Sequence, residues 1–492
     1  MPVVDAREGN HPTGDPDQIS IVRPDTQEKL LSQTDDNLSQ KLSAADAGLV
    51  SNTDVEGQVS RDLDDTFGDE AGAEIHYKTC DWWHAGILML AENVSLGVLA
   101  LPQAIAILGF VPGLLLILVI GLIAFYTGFV IGQFKLAYPK VGSFADCGEM
   151  MAGRIGREVM AVGSLLILVF IMAAHILSFA IALNVITDHA TCTVIFSVVG
   201  LIISFLIGLP RTLKNVSYLS IFSSISIVVA VTIAMAAIAM AKPDAGHVFL
   251  VRPNVPLVKG LGPVMNIILA YAGHVAFFGF YSELKNPRDF PKALAIMQIP
   301  VISFYMLISG VIYYYAGPYV ASPALASASP LIRKVAFGVA LPTIVVAGVV
   351  NGAVACKQVY IRVWSGTNVI HQNSFKAIGS WVGICAALWT FAFIIAEAVP
   401  DFNLLLGLIA ALFSSWFSFG LPGVLWLYMN KGKWLSTKRK MALTVVNFGL
   451  CGLGAAICVM GMWSSGWELH RGAAGQPFSC ANNWKPSIES QI

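Results

Sequence analysis

A carboxylate, an amide, a hydroxyl and a glycine fall within six consecutive positions of an apolar run that is otherwise long enough to cross a membrane. The run extends from Trp82 to about Leu108. Its interruption reads Glu92-Asn93-Val94-Ser95-Leu96-Gly97 and is followed by Val98-Leu99-Ala100-Leu101-Pro102. About 20 apolar residues suffice for a spanning helix. In hydrocarbon, each polar group left without a partner costs several kcal/mol. A lipid-facing helix therefore does not carry such a stretch. The run suits a membrane if the helix breaks over residues 93–98 and the freed amides and carbonyls line a cavity enclosed by protein.

Composition places the break in a chain that crosses the membrane many times. Hydrophobic residues make up 56% and charged residues 12%, which excludes a soluble core and points to an all-α polytopic membrane protein. The net charge of zero hides a division. Up to Cys80 there are 17 Asp and Glu against six Lys and Arg, so this part carries about −11 and the remainder about +11. Residues 1–74 are rich in Asp, Ser, Gln and Gly, with too little apolar surface to offset chain entropy, and read as a disordered acidic tail. The tail lacks the basic start and apolar core of a signal peptide, so the first span is expected to direct insertion. Lys29, Lys41 and Lys78, with the tail's serines, are candidate modification sites for trafficking machinery; a plain solvated tail is the alternative.

Eleven candidate spans follow: 82–108, 111–137, 159–185, 191–209, 216–241, 258–284, 292–315, 332–356, 376–397, 401–429 and 439–463. With the tail inside, the inner loops hold 17 Lys and Arg and the outer segments seven. By the positive-inside rule the amino terminus is cytosolic and the carboxyl terminus, residues 466–492, is extracellular or luminal. The eight cysteines show no CxxC spacing and no His/Cys cluster, so no zinc site is implied. Cys192 and Cys480 fall in segments placed outside, and the sequence leaves open whether they are bridged.

Eleven spans divide as five, five and one. The sixth span has its own interruption, Ala270-Tyr271-Ala272-Gly273-His274, at the position matching the first break if spans one to five and six to ten are repeats. Paired interruptions of this kind point to an inverted-repeat transporter with a site near mid-membrane.

Residues 94–102, the second interruption, and Ser282-Glu283-Leu284-Lys285-Asn286-Pro287-Arg288-Asp289-Phe290-Pro291-Lys292-Ala293-Leu294 together resemble the amino acid/auxin permease family, and within it the fungal neutral amino acid permeases. The resemblance covers roughly residues 75–465. It implies eleven spans, a leucine-transporter-like fold with helices 1 and 6 broken, and amino acid transport driven by protons or, in some animal members, by sodium. Sodium-coupled members look like Asn-x-x-x-Gly-Ser-Gly at the first break. Alignment on Gly97 puts Ala91, Ser95 and Leu96 at those positions, which removes two polar side chains and favours protons.

The expected site follows from the break. Amides of Ser95, Leu96 and Gly97 would open the second half-helix, where the positive end of the helix dipole favours a carboxylate, and Gly97 permits close backbone approach. Asn93, Val94, Tyr271, Ala272, Gly273 and His274 complete the expected substrate contacts, with the ammonium on carbonyls near Asn93 and Tyr271. A glycine kink packed on a neighbour is the alternative. Glu92, the only carboxylate deep in the first span, is the first choice for proton coupling; otherwise it pairs locally and holds the break open. His274 could relay a proton, since histidine titrates near neutrality, or serve as a neutral hydrogen-bonding group. His175, on one face with Ser178 and Ala182, is either a third coupling candidate or a packing residue. Glu283, with Lys285 and Arg288, could form an inner gate or a solvated cluster. Ser217, Ser220, Ser223 and Ser224 open the fifth span, and one or two could reach a cavity.

These features point to a secondary transporter of small neutral or aromatic amino acids that works by alternating access, with a proton gradient in place of a cofactor and the bilayer as its setting. A nutrient sensor signalling through the tail is the alternative from another class. No GxxxxGK[ST] loop suggests an ATP-driven pump, and no nucleophile–base pair or metal cluster suggests an enzyme. No nucleic-acid partner is expected. The plasma membrane is the first expectation and the vacuolar membrane the second.

Overall fold

In a computed structural model of the chain, the first helix, α1 (Trp82–Asn93), stops where the polar stretch begins. The structure describes residues 80–210, 214–244, 246–364, 374–471 and 475–484, with side chains omitted for 214–220. The acidic tail with Lys29, Lys41 and Lys78, and the side chains of Ser217 and Ser220, lie outside the described residues.

The last α-helical bond of α1 runs from the Val94 amide to the Leu90 carbonyl. The Ser95 amide then turns back to Asn93 O at 3.1 Å. The helix restarts as α2 (Gly97–Leu108), bent by 56° from α1. Gly109, at φ 101°, makes the sharp turn into α3 (Phe110–Ala137), a conformation that would strain a residue with a side chain. α4 (Phe144–Thr187) starts at a Ser143 cap, whose hydroxyl accepts from the Asp146 amide, and kinks at Ala152 and Gly153. Its membrane part therefore begins well after the helix does.

The chain continues through α5 (Thr193–Ile207), α6 (Lys214–Ala241) and α7 (Leu257–Leu269). The second break follows, with a single 3₁₀ turn at Gly273–Ala276 before α8 (Phe277–Ser282). Then come α9 (Phe290–Ala316), α10 (Pro330–Val363), α11 (Phe375–Ala398), α12 (Phe402–Ile409), a π-helical stretch at Ala410–Gly420 leading into α13 (Leu421–Met429), and α14 (Lys438–His470).

Among the described residues the architecture is all-helical, with both expected breaks in place. Ten of the eleven expected spans have the length and apolarity of a crossing, counting the bent pair α1/α2 as one. The remaining one, expected over 191–209, is α5. Its 15 residues reach about 22 Å at 1.5 Å per residue, short of a hydrocarbon core of about 30 Å. α14 runs to His470, seven residues past the expected end of the last span.

Packing sets the two breaks against each other. α2 lies along α7, α9 covers α1 and α3, and α10 packs on α4 and α6. Tyr305, fully buried on α9, places its hydroxyl 3.0 Å from Asn93 O and 3.1 Å from Ala270 O. One hydroxyl hydrogen is thus shared between a carbonyl from each break.

Candidate functional site

The two breaks and three neighbouring helices enclose a cavity of about 130 Å³. A single water occupies roughly 10–15 Å³ on the same measure, so the space suits a small solute. From the first break it is lined by Glu92, Asn93, Ser95, Leu96 and Gly97, and from the second by Ala270, Ala272, Gly273, Val275, Ala276 and Phe280. α4 adds Leu168, Ile171, Ala174 and His175; α10 adds Val350, Asn351 and Val354; α12 adds Leu406 and Ile409.

At the start of α2, the Leu96 and Gly97 amides have no backbone acceptor among the described residues, whereas the Ser95 amide is taken by Asn93 O. Two of the three expected donors are therefore free at the positive end of a helix. The expected acceptor near Asn93 is engaged as well, because Asn93 O already takes both the Ser95 amide and the Tyr305 hydroxyl. The Asn93 side-chain amide nitrogen is buried without a partner.

Glu92 is half-buried at the cavity wall and hydrogen-bonds the Asn351 side chain on α10. Asn351 also donates to Ala347 O at 2.9 Å. The sequence signal at this position is a mid-span asparagine in the run Gly348-Val349-Val350-Asn351-Gly352, which marks a buried polar group without naming its partner. Tyr305, a mid-span tyrosine far from either membrane interface, was the signal for the residue joining the breaks.

His175 reaches the cavity. Its Nδ1 lies 2.8 Å from Ile344 O and its Nε2 3.5 Å from Ser95 Oγ. A carbonyl only accepts, so Nδ1 carries the proton and Nε2 faces the Ser95 hydroxyl as an acceptor. Ser178 turns back to its own helix, donating to Ala174 O at 2.7 Å.

Three expected contacts lie elsewhere. Val94 is buried in the protein core. Tyr271 is buried with its ring 5.3 Å from that of Tyr305. His274 places Nε2 3.0 Å from Ala124 O and 2.9 Å from Thr127 Oγ1, and its ring packs on Phe277 at 4.7 Å. The cause is the local helix type. With three residues per turn, Gly273 and Ala276 share the cavity face and His274 is thrown to the α3 side. His274 fastens the second break to α3 and does not line the cavity.

The end of the molecule that bears Cys80 is closed. Cys80 pairs with Leu284 as a one-rung parallel bridge, through Cys80 N to Glu283 O and Lys285 N to Cys80 O, both 3.0 Å. Lys285 forms an ion pair with Asp81 at 3.0 Å. Glu283 feels the charge of Lys357 on α10 and accepts from the Cys80 thiol at 3.9 Å. The expected gate pairing is thus corrected. Lys285 pairs with Asp81, and Arg288 is exposed, with no ion pair among the described residues. Asp81, the residue just before α1, thus supplies the carboxylate at this end.

At the opposite end a vestibule of about 970 Å³ opens, lined by Gln103, Arg252, Asn266, Asp401, Asn403 and Glu468 among others. Its floor is a polar layer. Asn403 donates to Gln103 Oε1 at 2.6 Å and its own oxygen accepts from Asn266 at 3.2 Å and Ser322 at 2.7 Å. Leu406, one turn along α12, already lines the inner cavity.

The protein matches the family model described as transmembrane amino acid transporter protein over residues 78–465. It is 34% identical over 413 residues to an N amino acid transport system protein of Neurospora crassa, covering 81% of this chain and 88% of that one. It is 33% identical over 421 residues to a transmembrane transporter of Gibberella moniliformis, covering 83% and 89%. Among solved structures, a Na⁺-coupled sialic acid symporter aligns with a TM-score of 0.46 at 12% identity, over 80% of this chain and 91% of that one. Reaching from just before α1 into α14 and taking in both breaks and the cavity between them, the family match establishes that this chain belongs to the transmembrane amino acid transporter family.

Proposed function

We infer that the protein is a proton-coupled symporter of neutral amino acids, small or aromatic, working by alternating access. The observation that carries this reading is the cavity between the breaks. Glu92 is the one carboxylate among its lining residues, and the rest of the wall is mostly apolar, with Leu168, Ile171, Val275, Phe280, Val350, Val354, Leu406 and Ile409. Such a wall accepts an uncharged side chain and penalises a charged one. The substrate carboxylate meets the Leu96 and Gly97 amides, and the ammonium meets the carbonyl end of α7. Glu92 can exchange a proton while held by Asn351.

The inner end is closed and the vestibule open, so the described conformation suits loading from the vestibule side. Loop charges support placing that side outside, with a cytosolic amino terminus and a carboxyl terminus facing outward. A Cys192–Cys480 disulfide on the vestibule side supports the same orientation, because disulfides persist in oxidising compartments. The plasma membrane is the location we favour.

Uptake of a labelled amino acid panel into transport-deficient cells, at two pH values and with sodium or choline, tests the reading. Expected is uptake of neutral amino acids that rises as external pH falls and ignores sodium. Uptake that requires sodium and ignores pH overturns proton coupling. Amino acid binding without flux overturns the carrier. Epitope tags before Met1 and after Ile492 test orientation, with both on one side overturning it.

A further inference from the structure

The far end of the chain returns across the vestibule and forms one of its walls. Residues 475–484 contribute Gln476, Ser479, Ala481, Asn483 and Trp484 to that wall. Cys480 is disulfide-bonded to Cys192, the residue preceding α5. The Ala481 carbonyl accepts from Thr193 at 2.7 Å, and Asn483 Oδ1 accepts from Asn184 at 2.8 Å. Asn184, fully buried near the end of α4, also donates to Thr193 at 2.9 Å and accepts from His189, so its amide is fully used. The Phe478 amide donates to Glu397 O on α11 at 3.2 Å. The Arg333 guanidinium at the start of α10 lies 4.1 Å from the Trp484 ring centre.

These bonds run from the strap to α4, α5, α10 and α11. None of them goes to α2 or α7, whose Gln103 and Asn266 stand in the facing part of the vestibule. The strap therefore joins helices that do not carry a break and leaves the broken ones free of it. A chain of hydrogen bonds polarised in series, Asn184 to Thr193 to Ala481, reinforces the covalent link.

We propose that residues 475–484, locked by Cys192–Cys480, are a covalent clamp that holds the outer ends of α4, α5, α10 and α11 as one frame against which α2 and α7 move, and that the transport rate depends on this lock. The proposal rests on the carrier reading above. The other cysteines described, Cys80, Cys147, Cys356, Cys385, Cys451 and Cys458, are free thiols, and Cys480 is exposed. A dithiol reductant applied to folded protein thus has one bond to act on. It gives two electrons and two protons to the sulfur–sulfur bond, leaving two protein thiols, and closes to its own cyclic disulfide.

The test uses full-length protein in sealed vesicles, treated with dithiothreitol or buffer. Mass-tagging maleimide after denaturation counts thiols, and initial uptake rates give maximal rate and KM. Expected is a gain of two thiols, a fall of about threefold or more in maximal rate, and an unchanged KM, because no strap residue lines the inner cavity. C192S, C480S and the double variant should share that lower rate and ignore dithiothreitol. No gain of thiols overturns the clamp. So does a reduced protein with an unchanged maximal rate, and so does one whose only change is in KM. Uptake by the untreated wild type tests the carrier reading separately, since the clamp is judged from the treated-to-untreated ratio and the thiol count.

Discussion

A methyl group built on Gly97 would lie 2.7 Å from the Cα of Ala270, so the two broken helices meet backbone to backbone beside the cavity. No side chain fits between them. Gly97→Val should abolish uptake while the protein still folds and reaches its membrane. Gly97→Ala, which must push the second break aside by overpacking of about 1–3 kcal/mol, should lower uptake by about tenfold. Uptake rates normalised to surface-labelled protein decide this; wild-type affinity in the valine variant would move the site elsewhere.

Tyr305→Phe keeps the ring beside Tyr271 and removes only the hydroxyl near Asn93 O and Ala270 O. Leaving buried carbonyls without that donor costs about 1–3 kcal/mol. The variant should lose thermal stability in detergent and transport more slowly, and added substrate should restore part of the stability. A variant indistinguishable from wild type in both measurements would show that the breaks are held without the tyrosine.

Glu92→Gln preserves shape and the link to Asn351 but cannot cycle a proton. It should abolish accumulation against a gradient while keeping exchange of labelled for unlabelled substrate. Glu92→Ala should do worse, because Asn351 then keeps only its bond to the Ala347 carbonyl. The steady-state ratio of internal to external substrate under an imposed pH gradient is the measurement. Undiminished accumulation with unchanged pH dependence would shift coupling to His175, the other titratable group at the cavity.

At the closed end, burial together with the negative charges of Glu283 and Asp81 pushes the Cys80 thiol up to about 11. Its neutral form therefore dominates throughout the physiological range, and the reactive thiolate appears only as pH climbs toward that value. With the other five free cysteines replaced by serine and the Cys192–Cys480 bridge kept, maleimide should label Cys80 slowly at neutral pH. Each unit lost from its pKa raises the thiolate fraction about tenfold. On the proposed mechanism substrate and a proton gradient open this end, and they should then speed labelling by about that factor. Equal rates with and without turnover would mean that this end does not open.

The first break was legible because its signal is local: four polar or small residues crowd into six positions of an apolar run. The second was legible by position. What the sequence concealed depends on contacts between distant segments and on helix type. Glu92 meets Asn351 across more than 250 residues of chain, and nothing in either neighbourhood names the other. His274 was read as a cavity or hydrogen-bonding residue from its place in the second break, and the 3₁₀ turn there faces it to Thr127 and the Ala124 carbonyl. Glu283 and Lys285 stand two apart in sequence, yet the strand-like bridge at Leu284 sends Lys285 to Asp81. Cys192 and Cys480 could be placed on one side from loop charges alone, but their pairing needed the return of residues 475–484 over the vestibule.

The bridge between Cys80 and Leu284 is built from main chain. Its donors are the amides of residues 80 and 285 and its acceptors two peptide carbonyls. Such a fastening reads backbone path and is blind to side-chain identity, so proline, which has no amide hydrogen, is the substitution that removes a rung at residue 80 or 285. On separation, water takes over the same four groups, which leaves each bond a net value of only about 0.5–1.5 kcal/mol. Under the proposed alternating access this closure would part and re-form in each cycle, and a fastening of two main-chain bonds is weak enough to do so whatever side chains stand at residues 80 and 284.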